Sequence, residues 1–211
     1  MSEIQLDENL FLSPTPLGAY YATISPSHEA ARTLLLSLLT ETTSPKLSLD
    51  LINQRIGGSE KDNLELFNHC QEMGFIQGLN EPLSVSDGGL EEALPTFLEP
   101  LSDEGKVILA DNKGLYISSV GFNHESSVEL GALSADLISL QNRHEKLLHR
   151  NLGYRTSAWG LLSASGTSEI GFYPLYFGEQ IFSLVISGMP QLNRQEFVSL
   201  LWLLGNRYSS T

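Results

Sequence analysis

The residues best placed to do chemistry gather at one end of one stretch: two histidines and four cations between 143 and 155. His144 and His149 are five apart, which on a helix separates them by roughly 140°, so they cannot grip one metal ion as an i, i+4 pair does. A zinc site is rejected on that spacing, and no metal or other cofactor is expected. Arg143, Lys146, Arg150 and Arg155 are four of the 12 basic residues. At the end of a long helix they complement its dipole; the functional alternative is a docking patch for an acidic partner. His144 interrupts an apolar row, where protonation would place a charge in a closed interface and make a dimer pH-sensitive. The plainer alternative is a neutral ring bonded to a backbone or water oxygen.

Other candidates resolve toward structural roles. Asp111 and Asp136 have no base, nucleophile or second acid at useful spacing, so hairpin and helix-surface roles are expected. Ser163 to Ser168 is rich in hydroxyls but lacks the Gly-Lys-Ser/Thr ending of a phosphate loop, and a hairpin turn is the simpler expectation. The single cysteine, Cys70, cannot close an intramolecular disulfide and is expected to be a small buried hydrophobe in a reducing, cytoplasmic setting. Neither a nucleophile elbow nor a nucleotide fingerprint occurs. No catalytic residue is assigned, and the chain is not expected to be an enzyme.

The overall charge narrows the partners. With 12 Lys and Arg against 25 Asp and Glu in 211 residues, the formal charge is -13, which repels nucleic-acid phosphates and anionic membranes. Both halves share it, at -7 before Ser86 and -6 from there on. The start from Met1 to Asn9 is acidic and has no apolar core, unlike a secretory signal. Apolar runs such as Thr33 to Leu39 and Phe197 to Leu204 are far shorter than a membrane span.

Positioning falls to the elements. Ala19 to Ile24 has strand composition, and Ser27 can cap a helix from Glu29 to about Thr40 with Leu34, Leu35, Leu38 and Leu39 on one side. A helix from Ser48 to about Arg55 stops at Gly57-Gly58. Another runs from Ser59 to Met73 with Leu64, Phe67, His69, Cys70 and Met73 inward. Three helices followed by Gly-Phe-Ile resemble a winged helix over residues 1–78. The recognition helix, however, carries Lys61 among Glu60, Asp62, Glu65 and Glu72, so a protein or peptide partner suits it better than DNA. Residues 79–89 are the expected linker.

From 90 to 211 the expected order is helix, two strands, helix, three strands, helix. A weak helix spans Leu90 to about Pro100. Lys106 to Asp111 and Leu115 to Val120 form a hairpin around Asn112-Lys113-Gly114, and a long helix covers Glu125 to about Asn151. Strands at Ser157 to Ala164, Glu169 to Tyr176 and Ile181 to Ser187 precede a last helix carrying Phe197, Leu200, Leu201, Leu204 and Tyr208. Along the long helix Leu130, Leu133, Leu137, Leu140, His144 and Leu147 recur at spacings of three and four, a seam for a partner helix. Val128, Ala132, Ala135, Ile138 and Leu148 are left to face its own sheet. A charge at Leu137 should then give single chains.

This order, with Val107 to Gly121 feeding straight into the long helix, resembles the roadblock family of dynein light chains and bacterial small-GTPase regulators. The resemblance covers Leu90 to about Tyr208. It implies a five-stranded antiparallel sheet in α-β-β-α-β-β-β-α order, sandwiched by helices; behind the separate winged-helix-like N-terminal domain, this makes the expected fold α+β. It also implies a homodimer joined through sheet edges and long helices, and a non-enzymatic scaffold whose leading partner class is a Ras-like small GTPase. The family motif transfers no catalytic residue. One alternative is a GAF-like small-ligand sensor with Trp159, Leu161, Phe172, Tyr173 and Phe177 lining a pocket. A winged-helix DNA-binding regulator is the other.

Overall fold

The computed structural model describes residues 7–84 and 90–208. Strand β1 (Phe11–Pro14) leads through Thr15 into α1 (Pro16–Thr23). Thr15 Oγ1 accepts from Gly18 N at 3.1 Å, and Pro16 occupies the first turn, where its missing N–H leaves nothing unsatisfied. That start signal prevails over the β-rich composition of Ala19 to Ile24, so the strand expected there is a helix. Helix α2 (Ala30–Leu39) begins after Glu29 rather than at a Ser27 cap, and it buries Leu34, Leu35, Leu38 and Leu39. Ser48 and Ser59 cap α3 (Leu49–Ile56) and α4 (Glu60–Glu72) through Leu51 N and Asp62 N. Inside α4 the buried residues are Asn63, Phe67 and Cys70; His69 and Met73, expected inward, are exposed. Strand β2 (Ile76–Leu79) returns antiparallel to β1 and closes this part of the chain.

Leu79 ends β2 and Ser84 bridges to Thr43, whereas 85–89, the last part of the expected linker 79–89, lie outside the described residues, as does the start of the chain through Leu6. Helix α5 (Leu90–Leu98) accommodates Pro95 and tightens into a 3-10 turn at Glu99–Leu101. The hairpin β3 (Val107–Asp111) and β4 (Tyr116–Val120) follows, then α6 (His124–Arg143). Strands β5 (Trp159–Leu162), β6 (Ser168–Phe177) and β7 (Gln180–Ser187) precede α7 (Gln195–Tyr208). The fold is α+β, with an antiparallel five-stranded sheet ordered β4-β3-β7-β6-β5, so β4 and β5 are its edges.

Alternation along the strands divides the sheet's two faces. Ile108, Phe172 and Val185 point to the α6 side; Val107, Leu109, Leu175, Leu184 and Ile186 join the larger core on the other, against α5 and α7. Helix α7 is apolar nearly all round, burying every residue from Leu200 to Gly205, because α1 and α2 cover the side that the sheet leaves bare. Asn206 Nδ2 donates to Glu41 O at 2.7 Å, and Trp202 Nε1 donates to the same carbonyl. One apolar cluster therefore runs unbroken from Leu12 to Leu204. Among the described residues no helix is long and apolar enough to cross a membrane.

Candidate functional site

Helix α6 is fastened to the sheet by small residues and by Leu130 and Leu137. Asn123 Oδ1 accepts from Ser126 N at 2.8 Å and starts it. Its inward stripe is Ser127, Leu130, Gly131, Ser134, Leu137, Ile138 and Gln141. A Cβ on Gly131 would lie 2.6 Å from Gly114 O, and Gly114 itself has a φ of +85°, so the hairpin turn and the helix touch through two glycines. Gly131 and Ala132 meet Gly114 beside β4, whereas Gln141 reaches Trp159 on β5. The flank carrying Leu130, Leu133, Leu137 and Leu140 is therefore turned toward the β5 edge.

That edge is unusually greasy. Leu161 and Leu162 are 65% and 66% exposed, and Leu152 and Tyr154 just before β5 are also exposed. Their position is set where α6 ends. His144 closes the helix, its N–H shared between the carbonyls of Leu140 and Gln141. The chain then widens into a π-helical turn, Lys146–Asn151, in which Leu152 N donates to Leu147 O at 3.0 Å. Gln141 ties the pieces together. Its amide nitrogen is 2.8 Å from His149 Nε2, its oxygen accepts from Trp159 Nε1 at 3.0 Å, and His149 Nδ1 is 2.7 Å from Tyr154 O.

The seam residues are split by this geometry. Leu130 and Leu137 pack on their own sheet beside Ile108, Phe172 and Val185; Leu133 and Leu147 are 43% and 47% exposed, Leu140 is half-buried and His144 is exposed. Of the positions assigned to the sheet side, Ile138 is buried, but Val128 is exposed on the opposite flank. The long helix ends as an α-helix at Arg143, eight residues before Asn151, because the wider turn intervenes. Arg143, Lys146, Arg150 and Arg155 are all exposed. Arg155 lies near Glu29, whose carboxyl is held below the ordinary range, chiefly by the Tyr21 hydroxyl and further by Arg32 and Arg155.

Elsewhere the polar candidates are spent locally. Asp111 Oδ1 accepts from Lys113 N and Leu115 N, both at 2.9 Å, and shapes the hairpin turn. Ser163, Ser165 and Thr167 bond to one another in the β5–β6 turn. Asp136 is exposed on α6, Lys61 pairs with Glu65 at 3.7 Å, and Cys70 is fully buried, which pushes its thiol up. The five aromatic and leucine residues assigned to a pocket do not surround one. Trp159 and Phe172 lie under α6, Tyr173 and Phe177 join the opposite core, and Leu161 faces outward. Phe177 borders a cavity of about 410 Å³ with Leu36, Thr40, Glu179 and Tyr208. Gln141, Leu152, Tyr154 and Leu162 escaped sequence inspection. The adjacent Leu161-Leu162 pair was the available signal, since consecutive apolar residues cannot both face one core in a strand.

An α+β chain with an apolar sheet edge, unpaired among the described residues, is thus the class in hand. No protein-family model matches it, and no curated protein does. Among solved structures, the roadblock/LC7 domain from Streptomyces avermitilis is similar at 11% identity, over 55% of this chain and 92% of that one, with a TM-score of 0.38.

Proposed function

We propose that this chain is a protein-interaction module that pairs with a second copy of itself through β5 and the adjoining flank of α6. The observation that carries it is the apolar rim of Leu133, Leu147, Leu152, Tyr154, Leu161 and Leu162 beside an edge strand that, among the described residues, pairs on one side only. Such an edge is a template for another strand, and natural sheets ordinarily blunt it with charge or proline. Here β5 has neither. A stable pair needs about 1,200–2,000 Å² of total contact, which a strand ladder and a helix flank together can supply.

Mass in solution tests this. The native chain should run as two copies, and Leu161→Asp together with Leu133→Asp as one; a native chain that is already single removes the pairing. The partner class that the roadblock resemblance implies is a Ras-like small GTPase, which the module would anchor or bias through its mobile loops. Arg143, Lys146, Arg150 and Arg155 supply an exposed basic surface for an acidic partner. Capture with GDP and with a GTP analogue is the check, and no enrichment in either state would discard this partner class.

A further inference from the structure

Three hydrogen bonds determine which protons His149 carries. The Trp159 indole N–H can only donate, and it donates to Gln141 Oε1 at 3.0 Å. The Gln141 NH₂ is thereby turned to His149 Nε2, 2.8 Å away, and it too can only donate. Across the ring, Nδ1 is 2.7 Å from the Tyr154 carbonyl, which can only accept. All three contacts are satisfied by one state: a neutral imidazole with its proton on Nδ1. A second proton, on Nε2, would set N–H against N–H. Turning the amide over mends that contact but aims NH₂ at the indole N–H. Every protonated arrangement forfeits a bond, and Gln141, 4% exposed, has almost no water to replace it.

We propose that Gln141, His149 and Trp159 form a pH-sensitive latch that holds the turn Lys146–Asn151 and the segment to Tyr154 against α6 and β5. Neutral His149 keeps it shut and protonation opens it. Its effect on association rests on the pairing surface proposed above, because Leu147, Leu152 and Tyr154 ride on this turn and Trp159 begins β5. The groups meeting the ring are uncharged: the Gln141 amide from α6 and the Tyr154 carbonyl from the following segment. β5 has no ionisable side chain. Around it along the chain stand the cations Arg143, Lys146, Arg150 and Arg155, a second imidazole at His144, and one carboxylate, Glu145. Among the described residues no ion pair involves His149, so an imidazolium there has no counter-charge in place.

Imidazoles ordinarily change charge between about pH 5 and 8, so the full-length chain, labelled with nitrogen-15, is titrated across that range. The readouts are the Trp159 indole N–H resonance, the His149 ring resonances and the mass in solution. Trp202 gives the other indole signal, separated by Trp159→Phe. The Trp159 resonance should move along the His149 titration curve while that of Trp202 stays, and the mass should fall from two chains to one on the same curve. His149→Gln should make the Trp159 resonance independent of pH. A Trp159 signal indifferent to protonation of His149, or a His149 that takes no proton while the chain stays folded, overturns the latch. A Trp159 response in a chain that is single at every pH upholds the latch and removes the pairing surface, whereas a pair that persists at every pH overturns the latch's hold on association, so the failures are distinct.

Discussion

Glu29 and Arg32, three positions apart at the start of α2, show how a single side chain ties stability to pH. Tyr21 Oη donates to Glu29 Oε2 at 2.5 Å, and that bond is the main reason the carboxyl is held low. Because its folded pKa is depressed, Glu29 contributes stability above the ordinary glutamate range and loses it as pH falls through the folded value. The side chain is largely exposed, so the contribution is no more than about 1 kcal/mol. Glu29→Gln should flatten the decline in urea midpoint between about pH 5 and pH 3, and a decline as steep as the native one would contradict this. Cys70 behaves oppositely to a reactive thiol: buried in α4, with its pKa raised by desolvation, it should resist alkylation until the chain unfolds. Iodoacetamide labelling with and without urea measures that directly.

At the scale of elements, the contact between α6 and the β3–β4 turn is close because residues 114 and 131 are both glycine. Gly131→Ala should cost about 1–3 kcal/mol by thermal or urea unfolding, since the new methyl meets backbone that cannot yield. The two flanks of α6 would likewise separate packing from the proposed pairing. Leu137→Asp would press a carboxylate against Ile108, Phe172 and Val185 and cost about 3 kcal/mol or more, so any loss of pairing would follow from unfolding. Leu133→Asp should leave stability within about 0.5 kcal/mol and still yield single chains. The order of strands and helices from Val107 onward was legible because turn chemistry and alternation agree there, as in Asp111 to Gly114. The face of α6 was not, because serine, glycine and glutamine line its buried stripe while leucines border it, and periodicity of apolar residues alone points to the wrong flank. α1 was missed for a different reason: its start depends on Thr15 and Pro16, whereas the tyrosines that follow favour a strand on composition alone.

For the whole molecule, α7 is the central feature. A helix buried on every side needs layers on both sides, and the run Leu200 to Leu204 announced as much without saying what the second layer was. α1 and α2 supply it, with Gly205 at a close approach to the Leu39 carbonyl. Calorimetry should therefore give one cooperative transition for the full chain, and residues 90–211 expressed alone should aggregate or bind hydrophobic dyes; two resolved transitions would contradict the shared core. The opposite margins of the sheet are also unlike each other. β4 bears Ser118 and Ser119 and has α5 packed alongside, while β5 shows bare leucines. Joining two such sheets at their sticky ends leaves only the hydroxyl-bearing ends outermost. Under the proposed pairing, growth would halt after one doubling, and a filament would have no apolar edge from which to extend.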